Sequence, residues 1–138
     1  MQPLAIRLRA ARRRVVAESE QEVHAALTAA EQEADRVGKT ALVDFEAANG
    51  SKLSLLIGRA ETVLSWRYAG DEEPRFLSLG DANATGAIAL SRDFKDRIDV
   101  PRWALISRAE GLAALDQFVA SNEIPECVQW ADYVPPRQ

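Results

Sequence analysis

Few side chains in this sequence are of the types that carry out covalent or acid–base chemistry. The sequence contains one histidine, His24, and one cysteine, Cys127. This excludes an intramolecular disulfide framework and any zinc site built from several Cys or His ligands, and it argues against a Ser-His-Asp triad. We expect His24 to be a surface residue and Cys127 to be a small core hydrophobe. The scattered glycines match no phosphate-binding loop, so the sequence predicts no cofactor.

Acidic side chains are more abundant candidates, and they collect in three polar segments. They are Asp71, Glu72 and Glu73, then Asp81, then Asp93 and Asp96. Neighbouring carboxylates can transfer protons or bind a divalent cation. The spacing over 93–99 superficially resembles a calcium loop, but it lacks the central glycine and the closing glutamate, and Lys95 and Arg97 interrupt it. Three interpretations remain open: solvated loops, a small-molecule or metal site, and a contact surface for a basic partner.

Charge is distributed unevenly along the chain. The 17 basic and 21 acidic residues give a net charge of −4, yet five of the arginines precede the first acid, Glu18. Without those five, 12 basic residues face 21 acidic ones, a balance of −9 from residue 15 onward. Such a segment repels nucleic acid and suits a basic protein partner. The arginine-rich start is compatible with a transit peptide, a nucleic-acid patch, or a frayed terminus leading into a strand at Arg13–Ala17.

Two helices and a series of strands are predicted to position these residues. Ser19 and Ser107 each precede a glutamate at capping-box spacing, which predicts helices to about Val37 and Ser121. Between the helices, apolar residues alternate with period two, and Asn49-Gly50 is a hairpin signal. The predicted strands cover residues 41–46, 52–57, 62–68, 75–79 and 87–91, with extended chain at 102–106 and a closing strand at 128–130. Residues 93–99 are too polar to assign.

Short turns between successive strands favour an antiparallel meander. We therefore predict an α+β fold of about five or six strands, with two amphipathic helices packed on one face. The length of 138 residues fits one domain over 1–138, with 1–12 and 134–138 frayed. No run of about 18 apolar residues is present, so no membrane partner is expected.

The order of motifs resembles a known family. It comprises Leu53 to Gly58, Val63-Leu64-Ser65-Trp66, Leu77-Ser78-Leu79-Gly80-Asp81, Val100-Pro101, Ala114-Leu115-Asp116-Gln117-Phe118, and Ile124-Pro125-Glu126-Cys127-Val128-Gln129-Trp130. Over residues 13–132 the chain is similar to the immunity proteins of bacterial polymorphic toxin systems that are typically encoded beside deaminase-type toxins. It departs from them at Ser107, where such proteins often have proline.

The resemblance implies a bacterial cytoplasmic inhibitor that has no catalytic activity or cofactor and that covers the active site of a cognate toxin. Toxins acting on nucleic acid tend to have basic substrate surfaces, so we expect the toxin contacts among the six loop acids, Asp71, Glu72, Glu73, Asp81, Asp93 and Asp96. Neither nucleic acid nor a membrane is expected as a partner. Two other classes stay open, a ligand-binding domain or enzyme that uses the acidic loops and an adaptor that binds peptides at a sheet edge. Trp103 is compatible with a place in the core or at a contact surface.

Overall fold

The computed structural model describes residues 1–134, and most of them lie in strands or helices. The helices are α1 (Glu20–Val37) and α2 (Arg108–Ser121), and a 3-10 turn covers Arg102–Ala104. The strands are β1 (Leu4–Leu8), β2 (Arg13–Ala17), β3 (Ala41–Glu46), β4 (Lys52–Ile57), β5 (Glu61–Thr62), β6 (Leu64–Arg67), β7 (Phe76–Leu79), β8 (Ala87–Ser91), β9 (Arg97–Pro101), β10 (Ile106–Ser107) and β11 (Gln129–Asp132). The fraying predicted for 134–138 concerns mainly residues 135–138, which lie outside the described part.

The main sheet has seven strands in the order β11-β7-β6-β4-β3-β1-β2, and each neighbouring pair is antiparallel. The predicted α+β class with an antiparallel sheet is therefore confirmed, with more strands than the five or six expected. Strands β3, β4, β6 and β7 follow each other as a meander. The connection through α1 returns β3 to the side of β1, so β1 lies between β2 and β3.

The prediction that residues 1–12 fray is wrong, because β1 is an inner strand of the sheet. Leu4 and Ile6 are almost completely buried and belong to the main core. Apolar and other residues alternate along β1, which is the pattern of a strand with one buried face. The predicted strand Arg13–Ala17 is confirmed as β2, and Arg14 lies directly opposite Arg7 of β1.

Both helices begin at their predicted capping boxes, and they end at or near the predicted residues, Gly38 and Ser121. The Ser19 hydroxyl accepts a hydrogen bond from the Glu22 N–H, and α1 ends at Gly38 in the left-handed conformation. Ser107 and Glu110 form a reciprocal capping box at the start of α2. The apolar stripes of the two helices bury residues in the same core on one face of the sheet, as predicted.

A second, smaller core covers part of the opposite face. It contains Val63, Leu77, Val100 and Ala104, with Trp103 half-buried against it. The β8–β9 hairpin supplies much of this cover. β9 begins within the polar segment 93–99 that the sequence left unassigned, and its apolar residues alternate with charged ones. The face formed by β2, β1, β3 and β4 remains open beside this cover, and it carries the polar side chains of those strands.

Two local predictions need correction. Residues 102–106 do not form one extended segment, because the Leu105 N–H donates to the Arg102 carbonyl and closes the 3-10 turn before β10. The strand predicted over 62–68 is divided at Val63 into β5, which pairs with β10, and β6, which pairs with β4 and β7. At Val63 the pairing partner, rather than local propensity, determines the backbone conformation.

Candidate functional site

The six acids singled out in the sequence lie in three separate clefts. Asp71, Glu72 and Glu73 line one cleft at the turn between β6 and β7. Asp81 lines another, beyond the end of β7. Asp93 and Asp96 lie in the turn between β8 and β9 and line a third, which is the groove on the open face of the sheet described below. The structure therefore brings together the members of each loop segment but does not join the three segments into one cluster.

In the first cleft, Asp71 shapes the turn while its two neighbours face solvent. The Tyr68 N–H donates to Asp71 Oδ2 at 3.0 Å, and Arg75 donates to Oδ1 at 2.9 Å. The Tyr68 N–H, followed by the Arg75 guanidinium, lowers the pKa of Asp71. Glu72 and Glu73 are exposed, and neither forms an ion pair with another of the residues 1–134.

Asp81 and Asp93 are each held by backbone donors that leave one carboxylate oxygen uncommitted. The Asn83 N–H donates to Asp81 Oδ1 at 2.9 Å. Asp93 Oδ1 accepts from the N–H groups of Asp96 and Lys95 at 2.8 and 3.1 Å, and these bonds, with two nearby arginines, lower the pKa of Asp93. Each carboxylate is thus fixed in direction with Oδ2 available to a partner.

The open face of the sheet holds a feature that the sequence reasoning missed, a groove lined mainly by arginines. The cavity has a volume of about 670 Å³. Its cationic lining comes from Arg7, Arg9, Arg12, Arg13 and Arg14 of the β1–β2 hairpin, together with Lys52 and Arg92. We call it the arginine groove. The alternation of Leu4, Ile6 and Leu8 with other residues was the signal that could have placed these arginines on a sheet rather than on a frayed end.

The floor of the arginine groove contains a buried ion pair. Asp44 is only 7% exposed, and it accepts from Arg9 Nε at 2.7 Å and from an Arg9 terminal nitrogen at 3.2 Å. The Ser54 hydroxyl donates to the same carboxylate. Lys52 and Glu46 form a looser pair at 3.7 Å. These contacts occupy two of the cations, whereas Arg7, Arg12, Arg14 and Arg92 pair with no carboxylate among residues 1–134.

The groups capable of other chemistry are dispersed. Cys127 is exposed, which corrects the prediction that it is a core residue, and partial desolvation raises the pKa of its thiol. His24 is on the surface as expected, where it contacts Asp116 of α2 at 2.9 Å. Across residues 1–134, no three His, Cys, Asp or Glu side chains converge on a possible metal position. No helix of the described part has the length and apolar character needed to cross a membrane.

Comparison with known proteins identifies the family. No curated protein matches the chain. The family described as Immunity protein Imm1 matches residues 11–132, from the turn between β1 and β2 to β11. This match covers most of the chain, including all six loop acids and both helices. The chain therefore belongs to the Immunity protein Imm1 family, and its function is immunity against a toxin.

Proposed function

We propose that the protein neutralises a nucleic-acid-targeting toxin of the deaminase type by binding over its active site. The observation that carries this proposal is that many of the cations collect in the arginine groove and leave the rest of the chain acidic. Seven cationic and four acidic side chains line the groove, Asp93 and Asp96 among the four, which leaves ten basic against seventeen acidic residues in the rest of the chain. An enzyme that binds nucleic acid presents cations to phosphates, and an acidic surface competes for those cations.

The proposed contacts are the six loop acids, Asp71, Glu72, Glu73, Asp81, Asp93 and Asp96. Among them, Glu72 and Glu73 have exposed carboxylates outside any ion pair with the described residues. Asp81 and Asp93 add carboxylates whose orientation is already determined by backbone donors, so less side-chain entropy is lost on binding. Asp71 contributes chiefly by shaping the turn that presents the two glutamates.

The proposed mechanism is electrostatic steering followed by occlusion. Opposite charges on the two surfaces raise the association rate, and the covered groove no longer admits substrate. This inhibition needs no bond making and no cofactor, so we propose that the chain has no catalytic activity. The proposed site of action is the bacterial cytoplasm, with neither nucleic acid nor a membrane as a partner.

Charge reversal at the first cleft tests the proposal. The double variant Glu72→Lys/Glu73→Lys is expected to raise the Kd for the toxin encoded beside this gene by at least about tenfold, because buried charge pairs at protein interfaces are strongly coupled. The matched control is Glu20→Lys/Glu123→Lys, which makes the same charge change at exposed positions that line none of the three clefts. Calorimetric titration gives the Kd, and co-expression gives the survival of toxin-producing cells.

The outcomes separate the classes of function. If cells die equally fast with and without the unmodified chain, for every neighbouring toxin, the inhibitor proposal fails. If the control variant weakens binding as much as Glu72→Lys/Glu73→Lys does, net charge rather than the first cleft is responsible. Turnover of a small molecule by the purified chain would favour the enzyme alternative. Capture of an extended peptide along an outer strand, β2 or β11, would favour the adaptor alternative.

A further inference from the structure

The arginine groove contains an unneutralised pair of like charges. Arg7 of β1 and Arg14 of β2 lie directly opposite each other, and both are exposed. Like charges at directly opposed positions destabilise a strand pair. Arg7 also faces Asp44 of β3, but that carboxylate already accepts hydrogen bonds from Arg9 and Ser54. The two guanidinium groups therefore offer their donors to an anion from outside the described chain.

A third arginine approaches from the other rim of the groove. The Arg92 carbonyl accepts from the Leu42 N–H at 2.7 Å, which attaches the β8–β9 turn to the start of β3. The side chain of Arg92 is exposed and lines the same cavity as Arg7 and Arg14. Three uncommitted arginines thus surround one concave surface. Each guanidinium has the planar fork of donors that binds a carboxylate or phosphate through two hydrogen bonds.

The surroundings of these arginines favour protein carboxylates over nucleic acid. Among residues 1–134, no aromatic side chain lines the groove, so bases would find no stacking partner there. Four carboxylates lie among the cations, and the chain as a whole carries a net charge of −4. Both features repel a polyanion with closely spaced phosphates. A protein segment with separated carboxylates can meet the arginines and place its cations beside Asp93 and Asp96, two of the proposed toxin contacts.

We propose that the arginine groove receives an acidic segment of the bound toxin. This inference rests on the proposed function, and it adds a contact of opposite charge to the acidic surface. An acidic surface alone attracts any basic protein, including those that bind nucleic acid in the same cell. A basic protein without an acidic segment would leave the arginines of the groove buried and unpaired in the complex. This energetic penalty makes binding selective for the cognate toxin.

Binding of the toxin by charge-reversed chains tests the inference. The variant Arg7→Glu/Arg14→Glu is expected to raise the Kd for the toxin at least about tenfold over the control Arg36→Glu/Arg97→Glu, because interface charge pairs become repulsive. The control makes the same change in net charge at two side chains that are 71% and 72% exposed and outside the groove. Arg92→Glu serves as a second groove variant, and thermal unfolding checks that each variant folds.

The outcomes distinguish this inference from the proposed function. If the unmodified chain does not bind the toxin, both the proposed function and the groove inference are wrong. If it binds, and the groove variants bind as tightly as the control, only the groove inference falls.

A probe of the groove without the toxin uses a fluorescein-labelled peptide of alternating glutamate and serine. We expect fluorescence anisotropy to show binding to the unmodified chain and its loss in Arg7→Glu/Arg14→Glu. No binding of this peptide, or tighter binding of a single-stranded DNA oligonucleotide of equal charge, would overturn the inference.

Discussion

Gly80 marks the place where the second core is attached to the main sheet, and adding one methyl group there is expected to be severely destabilising. Its N–H donates to the Trp103 carbonyl at 2.7 Å. A Cβ at this position would lie 1.9 Å from the Leu105 carbonyl oxygen and 3.0 Å from its carbonyl carbon. Carbon and oxygen atoms normally approach no closer than about 3.3 Å. The obstructing atoms belong to the backbone, so no side-chain rotation relieves the overlap.

Two terms contribute to the expected loss of stability for Gly80→Ala. Forcing a methyl group into a filled space costs about 1–3 kcal/mol. Displacing the backbone also strains the hydrogen bond from the Gly80 N–H to the Trp103 carbonyl, and a typical intramolecular hydrogen bond contributes about 0.5–1.5 kcal/mol. We expect the free energy of unfolding to fall by about 1.5–4.5 kcal/mol, which is a large part of the roughly 5–15 kcal/mol of an ordinary domain. Asp81 follows Gly80 directly, so its cleft is expected to change shape as well.

Equilibrium unfolding in urea, followed by the fluorescence of the three tryptophans, measures the effect. The matched control is Gly70→Ala. Gly70 has a φ of +85°, with nothing within 4 Å of an added Cβ, so the substitution introduces backbone strain without a clash. That strain costs about 1–2 kcal/mol. If Gly80→Ala loses no more stability than Gly70→Ala, overlap of the added Cβ with the Leu105 carbonyl does not destabilise the fold, and the prediction is wrong.

Three further substitutions or reactions probe the candidate sites. Asp44→Asn is expected to lower the free energy of unfolding by about 1–3 kcal/mol, because it removes the charge that accepts two hydrogen bonds from Arg9. The control Asp99→Asn, at an exposed carboxylate, should change the free energy of unfolding by less than about 0.5 kcal/mol. The Tyr68 N–H holds the pKa of Asp71 in the folded protein below the value in the unfolded chain. The ionised Asp71 therefore stabilises the fold fully above its unfolded pKa, and this stabilisation is lost as the pH falls through its folded pKa. Unfolding measured across acidic pH should therefore show a shallower decline in Asp71→Asn, and an unchanged decline would contradict this assignment. Since desolvation raises the pKa of the Cys127 thiol, its alkylation rate should rise at higher pH than that of a free cysteine, and coincident pH profiles would refute this.

Local sequence rules accounted for the elements whose signals lie within a few residues. The capping residues Ser19 and Ser107 defined both helix starts, and Gly38 marked the end of α1. Period-two alternation located β3, and the Asn49-Gly50 hairpin signal located β4, both at their observed bounds. These features depend on hydrogen bonds and side-chain directions over one turn or one hairpin, so the surrounding fold was not needed to identify them.

Predictions that depended on distant partners were less successful. β1 was missed because a strand of five residues with an arginine, Arg7, on its open face is stable only when β2 and β3 pair with it on both sides. The division at Val63 likewise follows from the pairing of β5 with β10. Pairing of this kind joins residues far apart in the chain, and no local pattern specifies it.

For this protein, the sequence by itself determined the α+β class, the two capped helices, the scarcity of catalytic groups and the order of motifs that indicated an immunity family. Only the tertiary structure decided that the loop acids occupy three clefts and that the first arginines form one wall of a groove with Arg92. The physical reason is that composition and spacing specify which charges exist, whereas strand order and register specify which of them face each other across space.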